Sequence, residues 1–153
     1  MNDPATRSAE GAGAGAGGDT ALVTAPVVVP RRIGSSELRV FPVALSGTVF
    51  GWTADGPTTT SILDRFVELD GGFIDTADSY AGGRSEIMIG NWMREKRNRD
   101  SLTIATKVGK SPDHPGLSAP AIRAAVEASL RRLRVSHIDL LFLHIDDPTV
   151  SFD

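Results

Sequence analysis

Gly72-Phe-Ile-Asp-Thr-Ala-Asp-Ser-Tyr80 is the stretch from which the rest of the chain can be read. Phe73 to Thr76 has the short apolar character of a buried strand. It opens into a loop, so that Asp75 and Tyr80, five residues apart, can face one pocket. Two later strands end in the same way. Leu102-Thr-Ile-Ala-Thr106 runs into Lys107, and Ile138-Asp-Leu-Leu-Phe-Leu143 runs into His144. Asp, Tyr, Lys and His at three successive strand ends form a proton-donating constellation.

Between these strands lie helical patterns. Thr58-Thr59-Thr60 reads as the cap of a helix reaching about Leu69, with Ile62, Leu63, Phe66, Val67 and Leu69 on one face and Gly71-Gly72 as its stop. Ser85 reads as the cap of a second helix, with Glu86 at the positive end of its dipole and Ile87, Met88, Trp92 and Met93 as its apolar stripe. Ser118 caps a third, with Pro120 in its first turn and Ile122, Val126, Leu130 and Leu133 repeating at helical spacing. Upstream, Arg31 to Gly34 and Glu37 to Phe41 suggest a hairpin turning at Ser35-Ser36. Val43 to Leu45 is a short apolar run leading into the glycine-spaced loop Ser46-Gly-Thr-Val-Phe-Gly-Trp52. Strand and helix thus alternate three times before a fourth strand, which predicts an α/β fold with a parallel sheet and crossover helices. In such folds the active site lies at the carboxyl ends of the strands, where Asp75, Lys107 and His144 fall.

Composition narrows the function. The chain has 153 residues, and its net charge of −3 argues against a nucleic-acid partner. It has no cysteine, which removes disulfides and thiolate metal sites and is compatible with a cytoplasmic location. Its three histidines fall on different elements, so no metal site is expected. Residues 1–29 read as a Gly/Ala-rich disordered tail, because Gly11-Ala-Gly-Ala-Gly-Ala-Gly-Gly18 offers no large side chain to bury. Residues 30–153 read as one domain. Neither a signal peptide nor the ~20 apolar residues of a membrane span is apparent, so no membrane partner is expected.

The four polar residues suggest a reaction. A phenol is a poor acid at neutral pH, but an ammonium beside it stabilises the phenolate. Lys107 can supply that ammonium and Asp75 can anchor it. Tyr80 can then donate a proton to a carbonyl oxygen as a hydride reaches the carbon, while a neutral His144 hydrogen-bonds the same oxygen. No side chain supplies a hydride, so a cofactor must. Each residue also has a structural reading: Asp75 as a loop cap, Lys107 as a surface charge, His144 as a core histidine, and Tyr80, the only tyrosine, packed on Trp52 or Trp92. Their joint position at successive strand ends favours the chemical reading.

These motifs resemble those of the aldo-keto reductase family. The resemblance rests on Arg31-Arg-Ile-Gly-Ser-Ser-Glu-Leu-Arg-Val40, Ser46-Gly-Thr48, Phe73-Ile-Asp-Thr-Ala-Asp-Ser-Tyr80, Gly83-Arg-Ser-Glu86 with Ile89-Gly90, Ala105-Thr-Lys-Val108, and His137-Ile-Asp-Leu-Leu-Phe-Leu-His144. It implies a parallel (β/α)8 barrel of the TIM type with a hairpin plugging its amino-terminal end. It also implies NADPH-dependent reduction of small aldehydes or ketones, with Asp75, Tyr80, Lys107 and His144 as the catalytic tetrad. Gly47, Thr48, Val49 and Asp75 would lie near the nicotinamide. A complete barrel takes about 250 residues, so the resemblance covers the amino-terminal half and predicts a half-barrel of four strands. In relatives, most of the cofactor grip lies in the other half. Two further expectations follow: an inactive fragment of such an enzyme, or a binding protein similar to channel β-subunits. A half-barrel also leaves an apolar edge open to self-association.

Overall fold

A computed structural model describes residues 29–151, so all but Val29 of the expected disordered tail lies outside the described residues. The expected hairpin forms from β1 (Arg31–Arg32) and β2 (Arg39–Val40), paired antiparallel with Arg31 opposite Val40. Its last residue, Val40, is buried, and Phe41 meets Phe66 edge-on with ring centroids 5.9 Å apart.

Four strands follow: β3 (Leu45–Ser46), β4 (Phe73–Asp75), β5 (Thr103–Val108) and β6 (Leu140–Leu143). They form one parallel sheet in chain order. The crossovers are α1 (Gly56–Glu68), α2 (Arg84–Lys96) and α3 (Ala119–Leu133). This is the expected α/β architecture, four strands and three helices of a parallel-barrel pattern. Strand geometry then divides the side chains between two faces. The register sets Ser46, Asp75, Ala105 and Leu140 in one row. Ile74 and Ile104, one residue out of phase, point to the helices and are fully buried with Leu63, Ile89 and Leu133.

Several local expectations are corrected. The strand carrying Lys107 is longer at its carboxyl end than the sequence suggested, so Lys107 lies within β5, paired with Phe142. The next strand starts late, at Leu140, so His137 and Ile138 precede it. The cap of α1 is Asp55, whose carboxylate accepts from the N–H of Thr58, rather than the threonine run. Helix α1 ends at Glu68, which leaves Leu69 past the last turn and exposed.

Ser85 is not a cap. Ala81, Gly82 and Gly83 adopt positive φ in succession, and Gly83 becomes the residue before α2. That turn rotates the helix so that Ser85, Glu86, Ile89, Trp92 and Met93 face inward, while Ile87 of the expected stripe is exposed. Gly90 accommodates the rotation. A Cβ there would lie 2.6 Å from the carbonyl oxygens of both Arg132 and Leu133, so only glycine lets α2 approach the end of α3 this closely. On α3, Ser118 is the cap and accepts from Ala121, as expected. Its deepest face, however, is Ala125, Ala128, Ser129 and Leu133. Small residues let the helix sit close, and the larger Ile122, Val126 and Leu130 are left half-buried at the flanks.

Candidate active site

The loop that carries Tyr80 is an extension of the β4–β5 ladder. Thr76 N–H donates to Ala105 O at 2.9 Å and Asp78 N–H donates to Lys107 O at 3.0 Å. The tyrosine loop is thereby tied, backbone to backbone, to the strand bearing the lysine. On the other side Gly47 N–H donates to Asp75 O at 2.7 Å, joining the end of β3 to the end of β4. Three strand ends are fixed to one another before any side chain is considered.

On the face of the sheet away from the helices, the Lys107 ammonium meets four acceptors. It donates to both carboxylate oxygens of Asp75 at 2.7 and 2.6 Å, to Thr76 O at 2.9 Å, and to the Tyr80 hydroxyl oxygen at 3.2 Å. An ammonium has three N–H bonds, so the two Asp75 oxygens share donors. Because the phenol oxygen accepts from Lys107, the phenol's own proton is free to point elsewhere. The ion pair is largely shielded, with side-chain exposures of 16% for Lys107 and 21% for Asp75. His144 completes the group: its ring packs edge-on against Tyr80 with centroids 5.8 Å apart. Its backbone N–H donates to Val108 O, which sets the residue beside the end of β5.

Burial, then the nearby charges of Lys107 and Lys110, hold His144 below the ordinary imidazole range, with Asp75 opposing them. His144 is therefore neutral at pH 7. Its Nδ1 is buried and lacks a hydrogen-bond partner among the described residues. The sheet thus brings together Asp75, Tyr80, Lys107 and His144. Tyr80 does not pack on a tryptophan: Trp52 is 74% exposed and Trp92 donates to Asp64.

Of the residues expected beside a cofactor, Gly47 is buried while Thr48 and Val49 are exposed. The Thr48 hydroxyl lies 2.6 Å from that of Ser46. A Cβ on Gly47 would stand 2.6 Å from Ser85 Oγ, so packing alone already requires glycine there. His114 and His137 lie apart from this group, and among the described residues no cluster of three or more His, Cys, Asp or Glu is placed to hold a metal ion.

Sequence reasoning missed the residues on the helix side of the sheet. Ser85 Oγ donates to Gly47 O and lies 2.8 Å from Thr76 Oγ1. Thr106 donates to Glu86 Oε1 at 2.6 Å, and Arg132 donates to Glu86 Oε2 at 2.6 Å. Asp78 is almost wholly buried, and neither of its carboxylate oxygens has a partner within hydrogen-bond distance, although the N–H groups of Gly109 and Ser111 point toward it. Burial and the neighbouring Glu86 raise its pKa above the ordinary carboxylate value. One signal was available in the sequence. Thr106 shares the phase of Ile104 in β5, which places a hydroxyl on an otherwise apolar face that must find a partner.

Comparison with known proteins places the chain in a wider group. Residues 46–153 match the family model described as the aldo/keto reductase family. Norsolorinic acid reductase B of Aspergillus parasiticus is 36% identical over 135 residues, covering 76% of this chain and 35% of the relative. A norsolorinic acid reductase of Emericella nidulans is 39% identical over 133 residues, covering 76% and 34%. Among solved structures, an aldo-keto reductase from Bacillus halodurans superimposes with a TM-score of 0.68 at 32% identity, covering 78% of this chain and 42% of that one. The chain spans about a third of the length of the curated relatives it matches.

Proposed function

The chain belongs to the aldo/keto reductase family, and from that premise we propose that it is an NADPH-dependent reductase of aldehydes and ketones with Tyr80 as the general acid. The observation that carries this reading is the Lys107 ammonium held by both oxygens of Asp75 within 3.2 Å of the Tyr80 hydroxyl. A cation there stabilises the phenolate that remains once the proton has gone. Tyr80 gives its proton to the carbonyl oxygen. Lys107 restrains the charge left on the phenol oxygen, and Asp75 keeps Lys107 in place. Neutral His144, beside the Tyr80 ring, orients the same oxygen by hydrogen bonding.

The residues present fit a nicotinamide. The exposed Thr48 and Val49 follow directly on Gly47, whose N–H binds the backbone of Asp75, so the end of β3 offers a hydroxyl and an apolar surface beside the end of the strand that bears Asp75. Gly47, Thr48, Val49 and Asp75 would hold that end of the cofactor, which supplies the hydride when bound. The test is NADPH consumption with a panel of aldehydes and ketones, including norsolorinic acid, the compound for which two relatives are named. Carbonyl-dependent consumption is the expected result; none with any carbonyl sinks the reading.

A second reading is favoured by β6, where Leu141, Phe142 and Leu143 are 39%, 42% and 44% exposed on an edge strand. Apolar surface on an open edge invites another strand. In this reading the sheet pairs with a second copy, and the assembly rather than the single chain is what turns over.

A further inference from the structure

Behind the lysine, on the helix side of the sheet, lies a polar network for which the proposed reaction has no direct use. Glu86, in the first turn of α2, is fully buried. One of its oxygens accepts from the Thr106 hydroxyl and the other from Arg132 Nε, each at 2.6 Å. Arg132, near the end of α3, also donates to Ser129 Oγ at 3.2 Å. Thr106 is itself fully buried, and the next residue along β5 is Lys107. Two helices and the strand therefore meet at one carboxylate directly behind the site cation. A buried ion pair is costly to assemble and is weak evidence of stabilisation by itself. Here its position gives it a further consequence.

We propose that Thr106, clamped by Glu86 and Arg132, is a positioning residue that aims Lys107 at Tyr80. Successive side chains of a strand point to opposite faces. Fixing the Thr106 side chain against α2 therefore sets the pleat from which Lys107 leaves on the open face. Asp78 N–H holds the Lys107 carbonyl from the neighbouring loop, so the backbone at this point is fixed along the sheet while the clamp fixes its tilt. Removing the hydroxyl leaves a buried carboxylate oxygen without its partner. The strand and α2 relax apart around it, and the 3.2 Å contact to Tyr80, the longest of the four made by Lys107, is lost first.

The inference rests on Lys107 being the cation of the reductase site, and the test separates the two claims. The readout is the titration of the His144 ring by NMR, which needs neither cofactor nor substrate. The charge of Lys107 helps keep His144 below its ordinary range, so Lys107→Met raises the His144 midpoint and calibrates the method. Thr106→Val, which keeps the shape and β-branching of threonine, is expected to move the midpoint in the same direction by a smaller amount. Thr106→Ser, which restores the hydroxyl, is expected to match the parent. If valine unfolds the chain, Thr106→Cys takes its place with the same expectation. In turnover, the valine variant lowers kcat with KM unchanged. A His144 midpoint unmoved in Thr106→Val, in a protein where Lys107→Met moves it, overturns the positioning role alone. A midpoint unmoved in Lys107→Met removes the site reading and this inference with it.

Discussion

Asp78 is buried and His144 partly so, and burial drives each toward its neutral form. For Asp78, burial and the charge of Glu86 raise the carboxyl pKa above its ordinary value of 3.8. The charged form of Asp78 is therefore disfavoured in the folded protein. Asp78→Asn is expected to raise the melting temperature at pH 7, and the gain should close as pH falls through the raised pKa, where the parent residue is neutral as well. A melting-temperature difference independent of pH would contradict this. His144 has the converse behaviour. Its folded pKa lies below 6.5, so the unfolded chain takes up a proton first as the solution is acidified. Its effect on stability is absent above the ordinary value and becomes a loss as pH falls toward the folded pKa. Thermal melts of the parent and His144→Gln across that window should converge at neutral pH and separate below it. Asp75, Tyr80, Lys107 and His144 were legible in the sequence because each falls at or beside the end of a strand pattern. Their supports were not. Ser85 and Glu86 occupy what reads as an ordinary first helical turn, and only the left-handed run through Ala81, Gly82 and Gly83 turns both inward.

Helices α2 and α3 approach closely at Gly90. Gly90→Ala places a methyl group 2.6 Å from two backbone carbonyl oxygens that cannot rotate away. A loss of about 1–3 kcal/mol is expected, the usual cost of overpacking, read from urea denaturation. Glu86→Ala leaves the Arg132 guanidinium without its carboxylate and the Thr106 hydroxyl without its acceptor. Breaking a buried pair on one side costs about 3–5 kcal/mol, so this variant should be the more damaged of the two. Equal stability of both variants with the parent would show that the two helices do not meet as described. The existence and order of the strands and helices were legible from alternating apolar periods and from capping signals such as Ser118. Which side of a helix faces inward was less so. Periodicity picks out the large residues Ile87, Ile122 and Val126, whereas the buried faces include Gly90, Ala125 and Ala128, which carry almost no hydrophobic signal.

For the molecule as a whole, the sheet joins two kinds of surface. The helix side is sealed around Ile74, Ile104 and Leu133, and among the described residues no helix is long and apolar enough to cross a membrane. The far edge, β6, presents three exposed apolar side chains in succession. Sedimentation velocity is expected to show association that grows with protein concentration and is weakened by Leu141→Lys with Leu143→Lys. A single species at all concentrations would remove the second reading. The parallel order β3-β4-β5-β6 brings together the residues of the proposed reductase chemistry, since side-by-side strands deliver their carboxyl ends to one rim. The most direct test of that chemistry is the single-turnover rate of NADPH oxidation by a carbonyl substrate in the parent and in Tyr80→Phe, with matched near-UV dichroism. Loss of the general acid predicts a rate lower by about 10²–10⁴-fold in the phenylalanine variant; equal rates in the two proteins would contradict the assignment of Tyr80 as the proton donor.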